Sequence, residues 1–182
     1  MPRILVTGAN GFIAAHCIAR LLQSNLLVRG TVRSAAKAEA TRVALISAGI
    51  DVTNLELVAV PDLMDAGEMA SVMVDCDAVL HLASAFTYDA KPGEFEEKLL
   101  LPAVRGTTAV CEAAAEHKCV KKMVIMSSFA AVYDAAKGLQ PGKVYTEEDW
   151  SPLSYEEGRD ATTVVSHALY IFNFMGHSRN RC

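Results

Sequence analysis

Two glycines follow the first apolar run of the chain at a spacing that can bind a phosphate group. The run Ile4–Thr7 ends at Gly8, and Gly11 precedes a helix-like pattern that starts at Phe12. Glycine allows the sharp turn and lets the backbone approach a pyrophosphate, and the helix amino terminus offers N–H groups and a positive dipole. A glycine turn without a ligand is the alternative, but a preceding strand and a following helix favour the dinucleotide site. The predicted contacts are Thr7, Gly8, Asn10, Gly11, Phe12 and Ile13.

Two basic residues after the second apolar run indicate which dinucleotide is bound. NAD sites usually carry an Asp or Glu there, which binds the ribose 2′-hydroxyl. This chain instead has Arg33 at that place and Lys37 one helical turn later. Arg33 offers a planar fork to a 2′-phosphate and Lys37 adds a mobile charge. A solvated basic helix start is the alternative, but positive charge is unfavourable at a helix amino terminus unless an anion binds there. We therefore predict NADP(H).

These residues lie where strand-like runs pass into helix-like patterns. The strand-like runs cover 4–7, 26–33, 55–60, 77–82 and 122–126, and the helix-like patterns cover 12–24, 35–48, 66–74, 94–117 and 162–175. Strict alternation predicts right-handed crossovers and a parallel sheet, and nearly continuous apolar strands predict helices on both faces. Pro102 is a candidate interruption of the fourth helix. Residues 133–159, rich in Pro, Gly and acid, are predicted to form a long loop.

Length and composition limit the classes of function. The 182 residues predict a single domain, 1–182, with 170–182 a candidate irregular tail. A net charge of −4 argues against nucleic acid or an anionic membrane as partner. No apolar run approaches the roughly 18 residues of a bilayer span. Five cysteines without a C-x-x-C pair and five histidines without metal spacing predict reduced thiols, a cytoplasmic protein and no metal site.

Five further motifs accompany the glycine loop in a fixed order. They are Val28–Arg33, Asp62-Leu63, His81-Leu82-Ala83-Ser84, Gly106-Thr107-Thr108 and Val124-Ile125-Met126-Ser127-Ser128. Together they resemble the extended short-chain dehydrogenase/reductase family over residues 3 to about 160. The similarity is greatest to dihydroflavonol, cinnamoyl-CoA and fungal methylglyoxal or aldehyde reductases.

The resemblance implies a fold and a set of cofactor contacts. The fold is an α/β Rossmann-type doubly wound parallel sheet of strand order 3-2-1-4-5, and the cofactor is NADP(H). The implied contacts are Asp62 and Leu63 near the adenine, Ala83 and Ser84 beside the ribose, and Leu82 and Ser127 completing the set.

The resemblance also implies that a Ser, a Tyr and a Lys reduce a carbonyl. The Tyr donates a proton while hydride arrives from the nicotinamide, the Lys lowers the pKa of the Tyr, and the Ser orients the substrate oxygen. Ser128 matches the Ser, with backbone capping as the alternative role of its hydroxyl. Where the Tyr-x-x-x-Lys pair is expected, the chain has Thr163 and His167, so we predict that this motif is missing. A Thr hydroxyl is a far weaker acid than a phenol of pKa about 10, and His reaches less far than Lys.

Other tyrosines are alternative proton donors. Tyr155 is followed four residues later by Arg159, although Gly158 argues against a helix there. Tyr133 follows Ser128 too closely and is expected to pack in the loop. Tyr170 is expected to pack in the core.

Three functions stay open at this point. The first is an NADP(H)-dependent reductase of a small-molecule aldehyde or ketone. The second is a cofactor-binding protein without redox turnover, and the third is an isomerase, dehydratase or cyclase on the same scaffold. Because family members continue with two more strands, we expect this fold without the C-terminal substrate lobe. The family's usual dimer predicts a homodimer through the helices over 94–117 and 162–175.

Overall fold

The computed structural model describes residues 1–84, 89–138 and 140–159. These residues fall into two compact units: 1–84 with 109–126, and 89–108 with 127–138 and 140–159. The predicted helix over 162–175 and the predicted tail over 170–182 lie outside the described residues. The assignment of 1–182 to a single domain stays a prediction.

Five parallel strands form the sheet of the first unit. They are β1 (Arg3–Thr7), β2 (Leu27–Val32), β3 (Leu55–Ala59), β4 (Ala78–His81) and β5 (Lys122–Ile125). Their order is β3-β2-β1-β4-β5, with Ile4 paired to Val28 on one side and to Ala78 on the other. The predicted Rossmann-type sheet and its strand order are thereby confirmed.

Apart from the last, which lies in the predicted loop, the helices that the structure describes lie within the predicted ranges. They are α1 (Phe12–Gln23), α2 (Ala35–Ser47), α3 (Ala66–Met73), α4 (Leu101–Glu116) and α5 (Tyr155–Arg159). The side chain of Ser34 caps α2 by accepting the Lys37 N–H, and Asp65 caps α3 by accepting the Glu68 N–H. Such caps satisfy N–H groups that the first helical turn leaves without partners.

Alternate side chains of the sheet enter two separate apolar clusters. The first, here called the α3 cluster, contains Leu5, Val60, Met69, Val72, Met73, Cys76, Val79, Val110 and Ala113. The second, here called the α1–α2 cluster, contains Val6, Ala9, Ala14, Ile18, Leu22, Val28, Val32, Leu45 and Leu55. Consecutive β1 residues Leu5 and Val6 belong to different clusters because successive strand side chains point to opposite faces.

Two local predictions need correction. The helix before Pro102 is not interrupted; it is π-helical over Glu96–Leu100, where the Leu101 N–H donates to the Glu96 carbonyl. Proline cannot donate an N–H, so a shifted hydrogen-bond pattern just before it keeps the helix continuous.

The second correction concerns the predicted loop, which contains the helix α5 despite Gly158. Ser154 and Glu157 begin this helix with a reciprocal capping box. The Ser154 N–H donates to Glu157 Oε2 at 2.7 Å, and the Glu157 N–H donates to Ser154 Oγ at 3.3 Å. The pair offsets the low helix propensity of glycine.

Among the residues that the structure describes, no helix is both long enough and apolar enough to span a bilayer. Within the same residues, no group of three or more His, Cys, Asp or Glu side chains is arranged to hold a metal ion.

Candidate dinucleotide-binding site

The turn after β1 has glycine at two positions where a side chain would be strained or crowded. Gly8 has a φ of +69°, in the left-handed region that favours glycine, and a Cβ there would lie 3.1 Å from both Cα and Cβ of Ala83. The Gly11 N–H donates to the Gly8 carbonyl at 2.8 Å, and a Cβ on Gly11 would lie 3.2 Å from that oxygen. The two glycines therefore keep a bare backbone surface at the carboxyl end of β1.

Neighbouring strands hold this turn from both sides. On the β2 side, the Ala9 N–H donates to the Thr31 carbonyl at 2.8 Å, and the Gly8 N–H approaches Thr31 Oγ1 at 3.4 Å. On the β4 side, Thr7 Oγ1 accepts the N–H groups of Leu82 and Ala83 at 3.1 and 3.0 Å. Hydrogen bonds to both neighbouring strands therefore fix the position of the turn.

The amino terminus of α1 fits an anion. Gly11 is its N-cap and gives no side-chain cap, and the first turn contains no acidic residue. Its main-chain bonds start with the Ala15 N–H donating to the Gly11 carbonyl at 2.9 Å, so the geometry of a helix leaves the N–H groups of Phe12 and Ile13 without intrahelical acceptors. These are the groups that bind phosphate in sites of this kind.

Two cations lie at the start of α2. Arg33 and Lys37 are both exposed. Within the part of the chain that the structure describes, neither takes part in an ion pair. Asn10 and Lys37 line one cavity of about 620 Å³ between α1 and α2, whereas Arg33 does not line it. The residues present thus fit a phosphate, with no carboxylate among Thr31–Ser34 to oppose it.

The remaining predicted cofactor contacts of the first unit occupy different environments. Asp62 Oδ1 accepts the Met64 N–H at 2.9 Å and shapes the turn after β3. Leu63 packs against the α3 cluster and Leu82 against the α1–α2 cluster, so both side chains serve the core. Ser84 is exposed at the end of a described segment.

His81 belongs to one of the sequence motifs, but its residue type and position predicted no role for its side chain. His81 is 1% exposed, and its Nδ1 lies 2.9 Å from Thr7 Oγ1. Burial lowers the pKa of His81 to about 4. An imidazole at a buried position of a strand is the one sequence signal that could have drawn attention to it.

The second unit holds the candidate catalytic serine. Ser128 Oγ accepts the Ala130 N–H at 3.2 Å and caps the short 3₁₀ turn Phe129–Ala131. The capping role considered from the sequence therefore occurs. A hydroxyl that accepts one hydrogen bond still has its proton to donate, so capping and substrate orientation are compatible. Ser127 is exposed. Thr163 and His167 lie outside the described residues.

The alternative proton donor Tyr155 is engaged by a carboxylate. Its phenol donates to Glu96 Oε1, and this hydrogen bond raises the pKa of Tyr155. A raised pKa makes the phenol a weaker acid than free tyrosine. The tyrosine joins α5 to the π-helical turn before α4.

The spacing Tyr-x-x-x-Lys does occur in the chain, although not where the family motif is expected. Tyr133 and Lys137 have that spacing. Tyr133 stacks on Phe129 with ring centroids 5.2 Å apart, and Lys137 Nζ pairs with Asp134 at 2.9 Å. The lysine is thus paired with a carboxylate within its own turn, and the packing expected for Tyr133 is observed.

Comparison with known proteins identifies the lineage. Residues 4–155 match the NAD dependent epimerase/dehydratase family. The chain belongs to this family. The match confirms the family resemblance inferred from the ordered motifs.

Relatives within this epimerase/dehydratase family include two yeast enzymes. The chain is 41% identical over 154 residues to an uncharacterized oxidoreductase of Schizosaccharomyces pombe, covering 85% of this chain and 45% of that protein. It is 34% identical over 159 residues to the NADPH-dependent methylglyoxal reductase of Saccharomyces cerevisiae, covering 84% of this chain and 45% of the relative.

A solved structure agrees with these relatives. The yeast methylglyoxal/isovaleraldehyde reductase complexed with NADPH superposes with a TM-score of 0.86 at 30% identity, covering 98% of this chain and 52% of the other. The chain therefore spans about half the length of the proteins it matches. The family and these neighbours point to NADPH-binding reductases of the short-chain dehydrogenase type.

Proposed function

We propose that the chain binds NADP(H) and belongs to a reductase of aldehydes or ketones. The observation that carries the proposal is the bare Gly8–Gly11 turn, followed by an uncapped helix amino terminus and by the cations Arg33 and Lys37. The N–H groups of the turn and of α1 would hold the pyrophosphate. Arg33 and Lys37, with Asn10 beside Lys37, would hold the 2′-phosphate.

The carbonyl chemistry rests on Ser128 and on the nature of the cofactor. Bound NADPH supplies a hydride for the carbonyl carbon. The Ser128 hydroxyl, which accepts the Ala130 N–H, would donate its proton in a hydrogen bond to the substrate oxygen and orient it. By the resemblance, Thr163 stands at the place of the proton-donating Tyr and His167 at the place of the Lys.

A second function, cofactor binding without redox turnover, is favoured by a separate observation. The Tyr155 phenol is held by Glu96 with a raised pKa, and Lys137 is paired with Asp134. Neither group is prepared for proton transfer to a substrate. An isomerase, dehydratase or cyclase would differ from both, because its product would form without stoichiometric consumption of NADPH.

The cofactor assignment is tested by calorimetric titration with NADPH and NADH. We expect NADPH to bind more tightly, and the double variant Arg33→Ala/Lys37→Ala to lose about tenfold to a hundredfold in NADPH affinity, with little change for NADH. Lys118→Ala is the matched control, because Lys118 is an exposed lysine at the turn before β5, at the opposite end of the sheet. Equal affinities for the two dinucleotides in the unaltered chain would contradict the proposal.

Turnover is tested by following NADPH oxidation with a panel of aldehydes and ketones. Reduction that falls by about a hundredfold in Ser128→Ala, with NADPH affinity unchanged, supports the reductase. Tight NADPH binding without oxidation of the cofactor by any carbonyl compound supports the redox-inactive protein instead.

A further inference from the structure

The hydroxyl of Thr7 lies at the centre of a small buried network at the carboxyl ends of β1 and β4. Thr7 is fully buried, and its Oγ1 has three polar neighbours in the described residues. These are the N–H of Leu82 at 3.1 Å, the N–H of Ala83 at 3.0 Å and Nδ1 of His81 at 2.9 Å. All three distances lie within the normal range of hydrogen bonds.

The donors and acceptors of this network can be assigned by counting. A backbone N–H can only donate, so Leu82 and Ala83 fill both acceptor positions of the Thr7 hydroxyl. The hydroxyl proton is then left for the third neighbour, which must accept it. Nδ1 of His81 can accept only if it carries no proton.

We propose that His81 is a positioning residue of the dinucleotide site, fixed as the neutral tautomer with its proton on Nε2, and that it orients the Thr7 hydroxyl to hold Leu82 and Ala83. This inference deepens the proposed cofactor site and rests on it for its binding readout. Thr7 ends β1 immediately before Gly8, and His81 ends β4 immediately before Leu82. The pair therefore joins the two strand ends that border the glycine turn.

The reason that this joint matters is the close approach of Ala83 to Gly8. The space beside Gly8 is tight for a Cβ, because Ala83 Cα and Cβ would be 3.1 Å away and would have to move by a few tenths of an ångström. A displacement of Ala83 toward Gly8 would therefore be transmitted to the glycine turn. The Thr7 hydroxyl accepts the main-chain N–H of Ala83 and so fixes the position of Ala83 beside Gly8.

The surroundings of the imidazole agree with the neutral form. His81 is 1% exposed, and burial lowers its pKa to about 4. Its carbonyl accepts the Met126 N–H at 2.9 Å, which continues the β4–β5 pairing by one residue and fixes the backbone from the other side.

The tautomer is tested on the unaltered, ¹⁵N-labelled chain by long-range ¹H–¹⁵N correlation spectra of the histidine ring near pH 7. We expect His81 to show an unprotonated Nδ1 and a protonated Nε2. A protonated Nδ1, in either the other tautomer or the imidazolium, would overturn the proposal. This measurement needs no cofactor, so it decides the assignment even if NADPH fails to bind.

The positioning role is tested by amide exchange and by affinity. Thr7→Val keeps the shape of the side chain and removes the hydroxyl, so we expect the amides of Leu82 and Ala83 to exchange about tenfold faster and NADPH to bind about tenfold more weakly. Thr7→Ser restores the hydroxyl and should return both quantities to within about threefold of the original values. Unchanged exchange at both amides in Thr7→Val would overturn the role.

Two further variants distinguish hydrogen-bond acceptance by Nδ1 of His81 from packing of the His81 side chain. His81→Asn offers an amide oxygen near the position of Nδ1 and should retain most of the NADPH affinity, whereas His81→Leu should lose about tenfold. Thr41→Val is the control, because the buried Thr41 hydroxyl donates to the Lys37 carbonyl within α2, at 2.8 Å, and so lies outside the Thr7 network. It should lower thermal stability without changing exchange at Leu82 and Ala83. Equal losses of NADPH affinity in His81→Asn and His81→Leu would show that His81 acts only through packing and would overturn its positioning role.

Discussion

Gly8 lacks a side chain for two independent physical reasons. Its φ of +69° is costly for any residue with a Cβ, and that Cβ would press on Ala83 at 3.1 Å. Gly49 shares only the first reason, because its φ is +76° and nothing lies within 4 Å of its virtual Cβ. The two glycines therefore allow backbone strain to be separated from steric blockage of the site.

We expect Gly8→Ala and Gly49→Ala each to lower the free energy of unfolding by about 1 kcal/mol from backbone strain. Only Gly8→Ala should also weaken NADPH binding, by at least about tenfold, because Ala83 must move. Urea denaturation gives the stabilities and calorimetry gives the affinities. Similar loss of affinity in both variants would mean that global strain, and not the local approach of Ala83, governs the site.

Among the elements, β2 is joined to β3 and to α3 by one partly buried guanidinium, in addition to the pairing of the strands. Arg29 Nε donates to Glu56 Oε2 at 2.8 Å, and its Nη1 donates to the carbonyls of Val72 and Val74 at 3.0 and 2.7 Å. These carbonyls end α3, where a helix leaves acceptors without intrahelical partners. Arg29 thus connects two strands and the end of a helix.

We expect Arg29→Met, which keeps the aliphatic length but no donor, to lower the free energy of unfolding by about 2–3 kcal/mol. Arg42→Met is the control, since Arg42 makes one long hydrogen bond, 3.5 Å, to the Leu55 carbonyl. Its substitution should cost less than about 1 kcal/mol. Comparable losses in the two variants by chemical denaturation would show that the α3 carbonyls do not depend on Arg29.

Elements that depend on local patterns were predictable, and contacts between distant residues were not. The strands were placed to within a residue or two because apolar runs end at turn residues, as β1 does before Gly8. The capping box of Ser154 and Glu157 is also a local pattern from which a helix could be predicted, but Gly158 argued against a helix there. Helix propensity is a weak criterion beside a reciprocal cap.

In the candidate site, too, the contiguous motif was predictable and the contacts between distant residues were not. The glycine turn is a contiguous motif, so its position between β1 and α1 could be predicted from the sequence. The Thr7–His81 contact joins residues 74 positions apart, and the Tyr155–Glu96 contact joins residues 59 apart. Such pairs are set by which strands and helices become neighbours, and no local pattern records them.

Stability of the whole molecule should depend on pH through His81. The folded state lowers its pKa from 6.5 to about 4, so it binds the imidazole proton less tightly than the unfolded chain does. The resulting stabilisation is fully present above pH 6.5 and is lost as the pH falls toward 4. We expect the unaltered chain to lose about 2–3 kcal/mol more than His81→Asn between pH 7 and pH 4. Parallel pH profiles of the two proteins would contradict this assignment.

A homodimer stays a prediction for the assembled molecule. The family's dimer would use the helix predicted over 94–117, of which α4 forms Leu101–Glu116. Glu112 is exposed on α4, and Glu39 is exposed on α2. We expect sedimentation equilibrium to give twice the chain mass of 19.5 kDa, and Glu112→Lys, but not Glu39→Lys, to weaken self-association about tenfold or more. A monomer at all accessible concentrations would disprove the dimer.

The separation of the two apolar clusters by the β-sheet has a consequence for protein engineering. Leu45 and Met73 belong to different clusters and share no neighbour within them. Free-energy changes from substitutions on opposite sides should therefore add, because energetic coupling requires shared contacts. Combinatorial libraries for each side can accordingly be selected in isolation and merged afterwards without a second round of optimisation.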